Sequence, residues 1–214
     1  MPSRPRLPEL DYEALPAEEI LRVLLAAFPG RVALACSFQK EESVLLDMLY
    51  TVAPDARVFA LDTHVLFPET YAVWRAVEEK YGTKVEIFEG STLAKQAEVH
   101  GDALWERQPD LCCAIRKVEP LGRALGGLDG WITGLRRDQS PTRANAPKVG
   151  WDEGHELWKA NPLADWDDQR CWDYINDRGY ASIGCTHCTR PGDGREGRWA
   201  GNPKTECGLH VVTE

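Results

Sequence analysis

The spacing of apolar residues along the first half of the chain alternates between a helical period and short unbroken runs. These patterns predict strands at residues 31–37, 58–61 and 84–88, and helices at residues 16–28, 42–52 and 68–82. Pro16 and Pro68 open two of these helices, and Gly30 and Gly82 follow them, as is common at helix starts and ends. Strands that alternate with helices in this way predict a parallel sheet covered by helices.

The second half of the chain continues this alternation and then changes character. The same patterns predict a helix at 110–125, a strand at 131–134, a polar loop at 138–154 with a hairpin reaching Leu163, and a helix at 167–178. Residues 190–214 contain five glycines, two prolines and few aliphatic side chains, which predicts a mobile tail. We therefore expect one α/β domain over residues 1–189, built on a twisted, mainly parallel sheet with helices on both faces, and a flexible tail over 190–214.

Composition excludes several classes of protein. The 214 residues are 43% hydrophobic and 28% charged, which is ordinary for one globular domain. No apolar run approaches the roughly 20 residues of a membrane span, and a net charge of −9 argues against a nucleic-acid partner. The first four residues lead into a polar, proline-rich stretch rather than the apolar core of a secretory signal, so we expect a cytoplasmic protein.

Positive charge is concentrated between residues 113 and 148. Seven basic residues in this stretch stand against three acidic ones, and such a local excess in an acidic protein favours a site for a small anion. A solvated loop with scattered charges is the alternative. The basic residues are Arg116, Lys117, Arg123, Arg136, Arg137, Arg143 and Lys148.

Polar residues follow three of the predicted strands. In open parallel sheets, ligands bind beyond the carboxyl ends of the strands. Here those ends carry Ser37 and Phe38, then Asp62 and Thr63, and then the stretch 134–137, so these residues are candidates for substrate binding. No glycine occurs between positions 30 and 82, which argues against a glycine nest for a pyrophosphate after the first strand.

Four of the seven cysteines are arranged as metal ligands often are. Cys112 and Cys113 are adjacent, and Cys185 and Cys188 form a C-x-x-C. A C-x-x-C places two thiolates on one short turn, where they bind one metal centre or form a redox pair. Two further thiolates complete the four-sulfur shell of zinc or of an iron–sulfur cluster. A disulfide framework is disfavoured, because the cysteine count is odd and adjacent cysteines do not easily bridge each other.

The other cysteines fall into two groups. Cys36 and Cys171 lie in apolar surroundings and are expected to be small core residues. Cys207 lies on a segment that is too polar to bury it, three residues before His210. A spare exposed thiol beside a histidine is a candidate nucleophile.

Ordered motifs along most of the chain resemble the assimilatory adenylylsulfate (APS) and phosphoadenylylsulfate (PAPS) reductases. The resemblance extends from Arg31 to His210, although His64 stands where glycine is commoner in the family. It implies the fold of the adenine-nucleotide α-hydrolase group. The matching motifs are SFQKE at 37–41, LDTHVLFPETY at 61–71, CCAIRKVEPL at 112–121, TGLRRDQS at 133–140, NPL at 161–163, CTHCTRP at 185–191, REGRW at 195–199 and ECGLH at 206–210.

The resemblance also implies an activity and a cofactor. The family reduces an adenylylated sulfate to sulfite with thioredoxin or glutaredoxin as the electron donor. Its branch with both cysteine motifs carries one [4Fe–4S] cluster per chain and mostly prefers APS. By resemblance, the cluster ligands are Cys112, Cys113, Cys185 and Cys188, and the catalytic thiol is Cys207. Lys117 matches a lysine between cluster and substrate, and the residues that match those around the phosphosulfate and the attacking thiol are Arg136, Arg195, Arg198 and His210.

The residues are consistent with this chemistry, and alternatives to it remain. A thiolate that attacks a polyanion needs nearby cations, and Arg195, Arg198 and His210 lie within twelve residues of Cys207. The nearest alternative activity is PAPS reduction, alone or together with APS reduction. More remote alternatives are a PP-loop ATP pyrophosphatase and a zinc-stapled nucleotide-binding module. A small α/β enzyme with exposed helices is also expected to form homo-oligomers.

Overall fold

A computed structural model of the chain describes residues 4–177. The predicted tail at 190–214 and every motif after residue 177 lie outside this range. The helices of the described part are α1 (Ala17–Ala27), α2 (Lys40–Val52), α3 (Pro68–Tyr81), α4 (Leu93–His100), α5 (Leu104–Arg107), α6 (Pro109–Cys113), α7 (Glu119–Leu125) and α8 (Asp168–Asn176). Its strands are β1 (Val32–Ala35), β2 (Arg57–Asp62), β3 (Glu86–Glu89), β4 (Gly130–Ile132), β5 (Val149–Asp152) and β6 (Leu157–Ala160).

The six strands form one sheet in the order β3-β2-β1-β4-β6-β5. Every neighbouring pair is parallel except β5 and β6, which form an antiparallel hairpin. The predicted mainly parallel sheet and the hairpin are therefore confirmed. The chain passes from β1 to β2 on one side of β1, whereas β4 lies on its other side. This reversal of strand order is the topological switch point at which open α/β sheets bind ligands.

Helices cover both faces of the sheet, as the sequence predicts. Neighbouring strand residues point to opposite faces, so Leu34 of β1 joins one apolar cluster and Ala33 joins another. Buried residues of α1, α2, α3 and α8 contribute to the first cluster, and α7 covers the second through Leu121 and Leu125. No helix within residues 4–177 combines the length and apolar character needed to cross a membrane.

The structure differs from the sequence prediction between residues 93 and 125. Helices α4 and α5 were not predicted, and α4 shows why, since its buried residue is the polar Gln96. The helix predicted at 110–125 is interrupted by a π-helical turn at Ala114–Val118, where the N–H of Glu119 donates to the carbonyl of Ala114. Pro120 has no N–H to continue the α-helical ladder, which favours this wider turn.

Cys36 and Cys171 are core residues, as predicted. Their exposed fractions are 5% and 0%. Burial raises the pKa of the Cys36 thiol well above its usual range and raises the pKa of the Cys171 thiol to about 12. Both thiols therefore stay protonated near neutral pH, and protonated thiols are poor nucleophiles and poor metal ligands.

Candidate functional site

Three loops meet at the carboxyl ends of β1, β2 and β4. Because β1 lies between β2 and β4 in parallel register, the loops that begin at Cys36, Thr63 and Thr133 lie at one edge of the sheet. They correspond to the polar strand ends predicted from the sequence. The structure therefore brings the candidate residues of these loops to the switch point.

The loop after β1 is tightly constrained. Phe38 adopts a left-handed backbone conformation with φ at 57°, which is uncommon for a residue other than glycine. Its side chain is 1% exposed and stacks on Trp74 with ring centroids 4.9 Å apart. The Ser37 hydroxyl donates to Glu42 Oε2 over 2.7 Å. Phe38 thus anchors the loop through its ring, and only its backbone is available to a ligand beyond the strand.

The loop after β2 has a similar backbone constraint. His64 also has φ at 57°, and its backbone N–H donates to Asp62 Oδ1 over 2.7 Å. The same oxygen accepts from the Tyr71 hydroxyl over 2.8 Å. His64 Nε2 lies 3.9 Å from Glu89 Oε1 at the end of β3. Asp62 therefore holds the strained loop in shape, and strained backbone of this kind is concentrated at functional sites.

The loop after β4 packs closely against the start of α2. A Cβ atom on Gly134 would lie 2.5 Å from Glu42 Oε1 and 2.7 Å from Glu41 Cβ. The Glu42 carboxylate could move aside, but Glu41 Cβ is fixed to the backbone, so the close approach favours glycine at this position. Two residues later, Arg136 passes into the space between the loop, α2 and α8.

Arg136 is surrounded by carboxylates. It is 3% exposed, and its guanidinium donates to Glu41 over 3.0 Å, to Asp138 over 2.6 Å and to Asp168 over 2.7 Å. Lys40 forms a further ion pair with Asp168. These contacts join α2, the β4 loop and α8. They direct the donors of Arg136 toward protein groups of the described residues, and the role of Arg136 in substrate binding stays a prediction.

We expect Arg136→Met to destabilise the protein by about 3 kcal/mol, because it leaves the buried Glu41 carboxylate without its cation. Urea denaturation measures this change. Arg22→Met is a suitable control, since Arg22 forms a half-exposed pair with Glu19 that contributes less than about 1 kcal/mol. Wild-type stability combined with a raised KM for the nucleotide would instead support the predicted substrate-binding role of Arg136.

The adjacent cysteines lie at the junction of α6 and the π-helical turn. Cys113 is buried and Cys112 is half-buried. Successive residues of a helix point about 100° apart, so the two thiols do not converge easily on one small ion. Within residues 4–177, no disulfide joins any of the cysteines. The turn that follows carries Arg116 and the half-buried Lys117.

The π-helical turn packs directly against the ends of β2 and β3. A Cβ atom on Gly90 would lie 2.5 Å from the Ile115 carbonyl oxygen and 2.8 Å from Arg116 Cα, so the absence of a side chain at Gly90 permits the contact. Arg116 Nη1 donates to the carbonyl of Thr63. The cysteine pair and Lys117 are therefore held beside the loop that carries Asp62 and Thr63.

Polar atoms around the cysteines suit a metal–sulfur group. Arg116 Nη2 and Thr63 Oγ1 are buried and have no hydrogen-bond partner among residues 4–177, which is rare for buried polar groups. Gln96 Nε2 lies 4.0 Å from Cys112 Sγ. An amide donor at Cys112 and an unpaired arginine donor on the turn that follows Cys113 fit an anionic group bound through sulfur. Cys112 and Cys113 are the ligands that the described residues offer for such a group.

Part of the predicted site lies outside the described residues. Three residues at the site were not predicted from the sequence, namely Gln96, Glu41 and Arg116. Arg116 was visible as one of the basic residues, but no sequence pattern marks a buried glutamine as the neighbour of Cys112. The predicted residues outside the range are Cys185, Cys188, Arg195, Arg198, Cys207 and His210.

Comparison with known proteins agrees with the fold and the motifs. A model of the phosphoadenosine phosphosulfate reductase domain matches residues 31–191. An adenosine 5'-phosphosulfate reductase of Lysinibacillus sphaericus is 43% identical over 210 residues, covering 91% of this chain and 90% of that protein. Adenosine 5'-phosphosulfate reductase 1 of Bacillus subtilis has the same identity and coverage. The solved phosphoadenylyl-sulfate reductase of Candida auris, a phosphate complex, is 29% identical with a TM-score of 0.70, covering 80% of this chain and 84% of that one.

These findings define the class and then the family. The parallel sheet, its switch-point loops and its helical covers are those of a single α/β domain built on a mainly parallel sheet. Within that class, the chain belongs to the phosphoadenosine phosphosulfate reductase domain family.

Proposed function

We propose that the protein is an APS reductase that converts adenosine 5'-phosphosulfate to sulfite and AMP in assimilatory sulfate reduction. The observation that carries this proposal is the position of the Cys112–Cys113 turn, which Arg116 ties to the strand-end loop at Thr63. This arrangement supports a nucleotide at the strand-end loops and a metal centre on the neighbouring thiols. Relatives named adenosine 5'-phosphosulfate reductase match over nine-tenths of the chain and support the choice of APS.

The nucleotide binds at the switch point in this proposal. The candidate contacts are the loops of Ser37, Phe38, Asp62 and Thr63, where the strained backbone at Phe38 holds its loop in one shape. Lys117, on the turn beside these loops, supplies positive charge for the phosphosulfate. Preorganised cations of this kind stabilise charge that develops on the leaving group.

The first chemical step is attack of the Cys207 thiolate on the sulfur atom of APS. A sulfur–sulfur bond forms, the bond between sulfur and the bridging oxygen breaks, and AMP leaves with the electron pair of that bond. The enzyme is then a Cys207 S-sulfonate. Arg195, Arg198 and His210 are assigned to lower the thiol pKa and to offset the repulsion between the two anions.

The second step is thiol–disulfide-type exchange with a protein dithiol. One thiolate of thioredoxin or glutaredoxin attacks the Cys207 sulfur, and sulfite leaves. The second thiol of the donor then resolves the mixed disulfide and releases Cys207. The donor thus supplies the two electrons that reduce the sulfonate to sulfite.

We assign one [4Fe–4S] cluster to Cys112, Cys113, Cys185 and Cys188. Adjacent thiols that point in different directions suit separate irons better than one tetrahedral zinc ion. When bound, the cluster adds a local electrostatic field and fixes the turn that carries Lys117. The chain's own residues carry out binding, thiolate attack and release.

The cellular location of the protein follows from the same chemistry. A free catalytic thiol and a dithiol donor require a reducing compartment, so we infer a cytoplasmic location. We also infer a homo-oligomer. Neither a nucleic acid nor a membrane has a role in the proposed reaction.

Parallel turnover assays test the proposal. With reduced thioredoxin, we expect sulfite to form from APS at a kcat/KM at least about tenfold higher than from PAPS, a difference of roughly 1.4 kcal/mol in transition-state stabilisation. Preference for PAPS would make the protein a PAPS reductase. Pyrophosphate release from ATP without turnover of either sulfonucleotide would indicate the ATP pyrophosphatase alternative.

A further inference from the structure

We infer that Gln96, held by Arg116, is a positioning residue that donates a hydrogen bond to the Cys112 thiolate and, together with the buried Arg116 charge, raises the reduction potential of the metal–sulfur centre. This inference rests on the proposed assignment of an iron–sulfur cluster to Cys112. It concerns residues of α4 and of the π-helical turn, which come together only in the fold.

The orientation of the Gln96 amide is fixed by its partner. Arg116 Nε donates to Gln96 Oε1 over 2.6 Å, and a guanidinium can only donate. The amide oxygen must therefore face Arg116, and the amide nitrogen must face Cys112. That nitrogen lies 4.0 Å from Cys112 Sγ. A flipped amide would place two donors against each other, so the N–H groups of Gln96 point toward the thiol.

Burial of Gln96 and Arg116 costs free energy unless negative charge lies beside them. Gln96 and Arg116 are each 3% exposed. The hydrogen bonds from the Arg116 guanidinium go to two neutral acceptors, the Gln96 amide oxygen and the Thr63 carbonyl. Its Nη2 has no partner in the part of the chain that the structure describes. A buried cation with neutral partners and one unused donor is unfavourable on its own.

Thiolate ligands provide the missing negative charge. Four thiolates on a [4Fe–4S] core leave a net negative group, and Arg116 lies three residues after Cys113 on the turn that carries the ligands. Hydrogen bonds to ligand sulfur and nearby positive charge both favour the more reduced, more negative state of a cluster. Loss of either feature should therefore make the centre harder to reduce.

The variants that test this inference are Gln96→Glu, Arg116→Met and Arg116→Lys, all in the full chain with its cluster. Resonance Raman spectroscopy reports the Fe–S(Cys) stretching frequencies, and a redox titration followed by absorbance reports the reduction potential. Gln96→Glu replaces the donor with an acceptor of the same shape, so we expect a higher Fe–S(Cys) frequency and a lower potential. Arg116→Met should also lower the potential, and Arg116→Lys should restore most of it because it keeps the charge.

Arg123→Met is the matched control. Arg123 lies on α7, is half-exposed and pairs with Glu119, so its loss should leave both measurements at the wild-type values. Gln96→Glu spectra that match the control would overturn the inference. If Gln96→Glu holds no cluster, the two Arg116 variants provide the test. Equal reduction potentials in Arg116→Lys and Arg116→Met would exclude a role for the Arg116 charge and overturn the inference. A wild-type protein without iron would instead refute the proposed cofactor.

Discussion

We expect Cys207→Ser protein to fold, retain its cluster and bind APS, yet release no detectable sulfite. A serine hydroxyl is far less ionised than a thiol near neutral pH, and its oxygen cannot form the sulfur–sulfur bond of the intermediate. Essentially all turnover should therefore be lost. Sulfite production with reduced thioredoxin measures this loss, and equilibrium binding of APS shows that the site is otherwise intact.

The wild-type protein provides the complementary measurement. Incubation with APS and no reductant should add one sulfonate to Cys207 and release one AMP per site, and reduced thioredoxin should then remove the adduct. Intact mass and peptide mapping locate the modification. Cys171→Ser, a change at a fully buried thiol, should behave as wild type. An adduct on another cysteine, or turnover by Cys207→Ser, would refute this mechanism.

The fold could be predicted largely because its periodic elements are strongly apolar. Strand β1 and helix α2 bury almost every position that their patterns mark as apolar. Helix α4 has no such signal, since it buries Gln96 to meet Arg116. The π-helical turn after Cys113 was also not predicted. Proline is common in the first turn of a helix and disruptive inside a longer one, so Pro120 alone did not distinguish the two cases.

The candidate site was predicted in its chemistry but only partly in its contacts. An arginine in a strand-end loop favours anion binding, but the sequence does not show that Glu41, 95 positions earlier, meets Arg136. Phe38 follows a strand among polar residues, yet its ring packs on Trp74. Contacts between distant segments decide both cases, and local patterns carry no information about them.

Replacing Cys113 with serine should remove the proposed iron–sulfur cluster. Cys113 is 8% exposed, so a lost thiolate there is not easily replaced by water, and a serine oxygen is a poorer ligand for iron than a thiolate. Anaerobically purified wild type should hold about four iron and four sulfide per chain. The Cys113→Ser protein should hold almost none, as measured by iron and sulfide analysis and by the loss of visible absorbance.

Cys113→Ser should also lower turnover, because the π-helical turn after Cys113 carries Lys117. Without the proposed cluster, the π-helical turn would lack a group that compensates the buried Arg116, so Lys117 should no longer be fixed beside the loop at Thr63. Turnover should then fall together with the iron content, whereas Cys171→Ser should keep both. Stoichiometric zinc with full activity in the wild type would contradict the assignment. Iron retained by Cys113→Ser would show that this thiol is not a ligand.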